Sequence, residues 1–133
     1  MPFPLDEKYI IETEKELEIV FPSNFRIKMM HENGGELVID EDYWQLHPFF
    51  DKSDKKRINR TCNHIGLETK EAKTWHNFPR NGITIASNGS GDHLILLPSK
   101  RNNEKLGDEI YTWYHETGKI EKVADNIDKF FDN

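Results

Sequence analysis

Gly82–Asp92 reads GITIASNGSGD, an alternating apolar run that enters a Gly/Asn/Ser turn and leaves through a second run, HLILLP. A turn this rich in glycine either cradles a phosphate or makes a tight corner. A cradle needs a lysine, or a following helix whose N-terminus points at the anion. Here Asp92 follows, and then Leu94, Ile95, Leu96 and Leu97, which read as a strand. A carboxylate repels phosphate. Asn-Gly and Ser-Gly supply positive φ at no steric cost, so the segment is expected to be a β-hairpin.

Six histidines invite a metal or acid–base reading: His31, His47, His64, His76, His93 and His115. No two of them sit at i,i+4 on a predicted helix with a carboxylate between, as a zinc hydrolase needs. His93 and His115 each lie beside a predicted strand and could meet in a sheet, where histidines also serve structural hydrogen bonds. Ser87 and Ser90 flank the glycine turn, but no G-x-S-x-G elbow with a following helix is present. Cys62 is alone, which excludes an internal disulfide and a thiolate cluster, and it reads as a small packing residue. No catalytic residue, metal or cofactor is expected.

The densest charge is Asp40-Glu41-Asp42, with Glu32 and Glu36 just before it. Such a run is often only a solvated turn. Tyr43 and Trp44 follow directly, and aromatics beside charge are the usual composition of interface anchors. These seven residues are the candidate partner-binding set, although strand alternation must send either Tyr43 or Trp44 into the core. The one basic run, Lys52, Lys55, Lys56, Arg57 and Arg60, lacks interleaved aromatics for stacking single-stranded nucleic acid.

The chain has 133 residues, one domain's worth, with 32% charged residues and a net charge of −6. Nucleic-acid binders draw affinity from clustered Lys and Arg, so an acidic chain starts with that contribution against it. It suits rapid approach to a basic protein instead. The lone cysteine fits a reducing compartment. MPFPLDEKY has no basic region and no apolar run, and no segment is long enough to span a bilayer, so a cytoplasmic protein without membrane contact is expected.

The elements that must position these residues follow from period and punctuation. Residues 6–20 predict a helix capped by Asp6, with Ile10, Thr13, Leu17 and Val20 on one stripe and Glu12, Glu14, Glu16 and Glu18 solvated. Phe21-Pro22 stops it, Ser23 caps a second helix over 24–32, and Asn33-Gly34-Gly35 ends that one. Strands are expected at 37–39, 43–46, 82–87, 93–97, 110–114 and 119–123. Short helices are expected near 53–60 and at 69–76, the latter capped by Thr69, with a final helix capped by Asp125. This order argues an α+β domain over residues 1–133, with a mainly antiparallel sheet and helices packed on one side.

The ordered set of signals resembles the SUKH superfamily, which includes the Smi/Knr-type regulators and many bacterial immunity proteins. The likeness runs from the acidic helix into Phe21-Pro22, through Phe25-Arg26, Asn33-Gly34-Gly35, Phe78-Pro79, Ile83–Asp92 and Ile110–Trp113 with His115, to Phe130 and Phe131. This chain has Tyr9 and Ile10 where the family often has an early tryptophan. The resemblance implies a non-catalytic domain that neutralises a co-encoded toxin, often a nuclease with a basic domain. It carries no binding residue over. Two other readings stand beside it: a regulatory scaffold module, and a small hydrolase using His93 and His115.

Overall fold

The computed structural model describes residues 2–131. Asp6 starts the first helix by accepting a hydrogen bond from the Lys8 N–H at 3.0 Å, and α1 runs Glu7–Leu17. The expected extension to residue 20 does not form. Glu18 turns left-handed at φ 59 and closes the helix on the Glu14 carbonyl. Val20 thereby leaves the apolar stripe and bridges Lys105; its carbonyl accepts from the Leu106 N–H at 2.9 Å. Pairing with a distant segment overrides the helical period here.

Helix α2 spans Ser23–His31, with Phe25 and Met29 buried as their spacing predicts. Ser23 is its first residue rather than its cap; Pro22 holds the cap position and offers no side-chain acceptor. The helix ends at His31 with Glu32 extended as its cap, and the turn into β1 follows at Gly34 and Gly35, with φ of 117 and 103. The Lys28 ammonium donates to the Glu32 carbonyl at 2.8 Å and to that of Gly34. Asn33 is buried and ties this corner to a distant strand exit. Its amide donates to the Phe49 carbonyl at 2.9 Å, and its side-chain oxygen accepts from the Phe49 N–H at 2.8 Å. Asn33→Ala leaves both Phe49 groups without partners, so a loss of about 2 kcal/mol is expected. Urea unfolding measures it; a loss indistinguishable from zero would contradict the assigned role.

Six strands follow: β1 Gly35–Ile39, β2 Asp42–Leu46, β3 Ile83–Ser87, β4 His93–Leu96, β5 Ile110–Trp113 and β6 Ile120–Ala124. They pair antiparallel in chain order, a meander. Helices α3 (Lys55–Arg60) and α4 (Ile65–Ala72) fill the connection between β2 and β3. The predicted start of α4 at Thr69 is corrected: His64 caps it, its Nδ1 accepting from the Leu67 N–H at 3.2 Å. Thr69 is buried inside the helix instead. Its hydroxyl accepts from the Thr84 N–H at 3.2 Å, where the β2–β3 ladder, only two residue pairs long, has parted. The last element is a 3-10 turn, Ile127–Phe130, capped by Asn126 rather than Asp125.

Alternation sorts the apolar residues onto two faces. Leu37, Trp44, Leu46, Ile83, Leu94, Leu96 and Ile110 face inward and meet Tyr9 and Ile10 of α1, Phe25 and Met29 of α2, and Ile127. The sheet curls around this core far enough that Ile39 of β1 and Val123 of β6 line one cleft. The chain is an α+β protein with a curled antiparallel sheet. A second, smaller cluster (Ala72, Phe78, Ile95 and Trp113) covers part of the outer face. The Trp113 indole N–H donates to the Asn77 carbonyl at 2.9 Å, and Trp75 stacks on that ring at 5.9 Å. No helix is long and apolar enough to cross a membrane among the described residues.

Candidate partner-binding surface

In a meander taken in chain order, the β1–β2, β3–β4 and β5–β6 turns emerge at one end. The first is Asp40-Glu41, both with positive φ, 48 and 69, the geometry of a tight two-residue hairpin. The second is the glycine turn, which is a corner and not an anion cradle. Asn88 orders it: its side-chain oxygen accepts from the Ser90 and Asp92 N–H groups, each at 3.0 Å. Its amide donates to Asp42 Oδ2 at 2.9 Å and so ties the first turn to the second. Asp92 reaches the third, accepting from the His115 backbone N–H at 3.1 Å and pairing with its Nδ1 at 2.7 Å. Gly91, at φ +97, lets that ring lie close; a Cβ there would sit 3.3 Å from His115 Nδ1.

The same end holds most of the molecule's net negative charge. Asp40, Glu41, Asp42, Asp92, Glu116 and Glu121 face a single lysine, Lys119, which leaves five of the chain's six net negative charges on these three turns. Between the turns opens a cleft of about 160 Å³, lined by Asp40, Asp42, Asp92, Tyr114, Glu121 and Trp44 among others. The Tyr114 hydroxyl donates to Glu121 at 3.3 Å; partial burial and that carboxylate push its pKa above the ordinary value. Partial burial pushes the Asp92 carboxyl up, but the bonds from the His115 ring and backbone outweigh this and hold it below the usual range.

The seven sequence-predicted residues are divided by the fold. Asp40, Glu41 and Asp42 lie at the hairpin end and are exposed. Glu36 and Tyr43 face outward on β1 and β2, where Tyr43, 69% exposed, pairs across with the exposed Val38. Glu32 is exposed at the far end of β1, beyond α2. Trp44 is 4% exposed and packs into the inner core opposite Leu37, so little of its ring is free for a partner. Of the two adjacent aromatics, Tyr43 is the one left facing solvent.

His93 and His115 come within electrostatic reach of each other, but their rings bond to different partners. His93 is buried on the outer face, with Nδ1 2.7 Å from the Thr84 hydroxyl and its ring 5.0 Å from Trp75. His115 sits at the cleft rim on Asp92. Among the described residues no group of three or more His, Cys, Asp or Glu side chains is arranged to hold a metal. Cys62 is exposed, not packed. The basic run does acquire an aromatic that the sequence did not place there: Lys56, Arg57 and Arg60 lie 4.4–5.6 Å from the Phe3 ring.

Sequence reasoning missed Tyr114 and Glu121 as members of the acidic end. The signal available was the meander itself, since consecutive hairpins must return every second turn to the same end. What hid them was the curl, which brings β6 round to β1.

The chain matches the family model described as SMI1 / KNR4 family (SUKH-1) over residues 4–133. No curated protein and no solved structure matches it. With essentially the whole curled sheet and its helices inside the matched span, the chain belongs to the SMI1 / KNR4 family (SUKH-1).

Proposed function

We propose that this protein is an immunity protein: a stoichiometric, non-catalytic inhibitor that binds a cognate nuclease toxin in the cytoplasm, an RNase in the first instance, and occludes its active site. The family match over residues 4–133 carries this reading, because the bacterial proteins this chain resembles commonly neutralise a co-encoded toxin. The charge distribution supports the mechanism. A nuclease groove that binds substrate phosphates is cationic, and a surface with five net negative charges on three adjacent turns complements it. Tyr43 and Val38 add exposed apolar area beside the charge.

The test is direct. The protein is mixed with the toxin encoded next to its gene, and RNA and DNA cleavage are followed. Cleavage is expected to stop at one equivalent; undiminished cleavage at excess protein would end the proposal. Replacing Asp40, Glu41 and Asp42 together by lysine is expected to slow association tenfold or more at low salt, with the difference shrinking as salt rises. The exposed Val38–Tyr43 pair would equally serve a scaffold that binds a cellular protein and blocks nothing. The gene neighbourhood separates the two, since a scaffold needs no adjacent toxin.

A further inference from the structure

We infer that the cleft between the three hairpin turns is a socket for one lysine or arginine side chain of the protein partner. The inference rests on the immunity reading for the partner's identity, but the socket is argued from its own geometry. Its volume, about 160 Å³, is well under the ~300 Å³ at which small-molecule pockets begin, and suits a single extended side chain. Its lining is divided in the way such a side chain is. Ile39 and Val123 offer apolar surface to a methylene stem, and Asp40, Asp42 and Glu121 offer carboxylates to a cationic head.

Those carboxylates are short of counter-charge. Asp92 has His115, and Glu121 has Lys119 no closer than 3.9 Å. Asp42 accepts only the neutral amide of Asn88, and no ion pair reaches Asp40 among the described residues. Like charges gathered around one cleft repel, and an entering cation relieves that repulsion.

A second observation is independent of the charge. Trp44 lines the cleft and is 4% exposed, yet its indole N–H has no hydrogen-bond partner. A buried donor without an acceptor is costly and rare in native proteins. The Nε1 atom has under 1 Å² accessible, so entry of the side chain must uncover it before a main-chain carbonyl brought in alongside can accept its hydrogen bond. A free metal ion or a phosphate would not: the first lacks an acceptor, and the second is repelled.

The socket is tested without the toxin. Capped Gly-Lys-Gly and Gly-Arg-Gly tripeptides are titrated into labelled protein and followed by NMR, with capped Gly-Glu-Gly as control. Saturable shifts are expected in the Trp44 indole N–H and in the amides of Asp40, Asp42 and Glu121, with none from the glutamate peptide. The double variant Asp40→Asn/Glu121→Gln is expected to weaken binding at least tenfold, while Glu71→Gln/Glu104→Gln leaves it unchanged. Both pairs are exposed, so neither threatens the fold. Absence of saturable shifts, or shifts that survive the first double variant, would overturn the socket. A protein that ignores the peptides yet blocks the toxin removes the socket and spares the immunity reading. Peptide binding without toxin inhibition does the reverse.

Discussion

Replacing Glu14 by alanine should cost the protein about 3 kcal/mol of unfolding free energy, a large share of what a domain this size has. Glu14 belongs to a run of glutamates in α1 and looks solvated by its neighbours, but it is buried. One carboxylate oxygen accepts from the Phe21 N–H at 2.8 Å and from Arg26 Nε at 3.2 Å; the other accepts from Arg26 Nη2 at 3.3 Å. Phe21 follows the left-handed exit of α1, where the chain has no helical acceptor left. Removing Glu14 therefore orphans a buried backbone donor and takes from Arg26 its more deeply buried partner, leaving only Glu7 at 2.7 Å. Glu14→Gln keeps an acceptor for Phe21 and loses the charge, so it should fall between the two. Equilibrium urea unfolding measures both. Equal stability for wild type and the alanine variant would show that α1 and α2 are not held together here.

Acid should destabilise the fold in a window set by two histidines. His47 and His93 lie on the outer face with ring centroids 6.0 Å apart, and the His47 Nε2 is buried without a partner. Burial pushes His47 down to about 4, helped by the neighbouring His93. Burial likewise pushes His93 to about 4, against the pull of Asp92. In the unfolded chain both titrate near 6.5. Between those values the unfolded state binds more protons than the folded one, so protons favour unfolding. Stability is complete above 6.5 and falls as pH drops towards 4, by roughly 3 kcal/mol for each ring at the lower limit. Unfolding midpoints at pH 7, 5.5 and 4.5 should decline steadily, and both imidazoles should remain neutral by NMR at pH 5.5. A flat profile across that range, or either ring charged at pH 5.5, would overturn the assignment.

Much of the fold was legible in the sequence because its signals are local. Each hairpin carries its own alternation and its own turn residues, and Asp6, Phe25 and Met29 announce their roles within one or two helical turns. The illegible parts depend on residues far apart in the chain. Glu14 reads as surface until Arg26, twelve residues on, is placed against it. Val20 reads as the end of an apolar stripe until Lys105 draws it away. His64 is a poor cap by type, and only the stacking of Phe50 on its ring at 4.6 Å shows what holds it in place. The acidic turn was visible as a charge run, whereas the cleft behind it was not. Its opposite wall comes from Tyr114 and Glu121, about seventy to eighty residues later, and only the curl of the sheet unites them.

The sheet's neighbour-to-neighbour order has an evolutionary corollary. Each of the three turns at the acidic end joins strands that already pair with one another, so a change of residue, or even of length, in one turn leaves the ladders intact. The tips can therefore diverge while the framework stays constant, much as antibody variable domains diversify their loops, except where Asn88 and Asp92 bind one turn to the next.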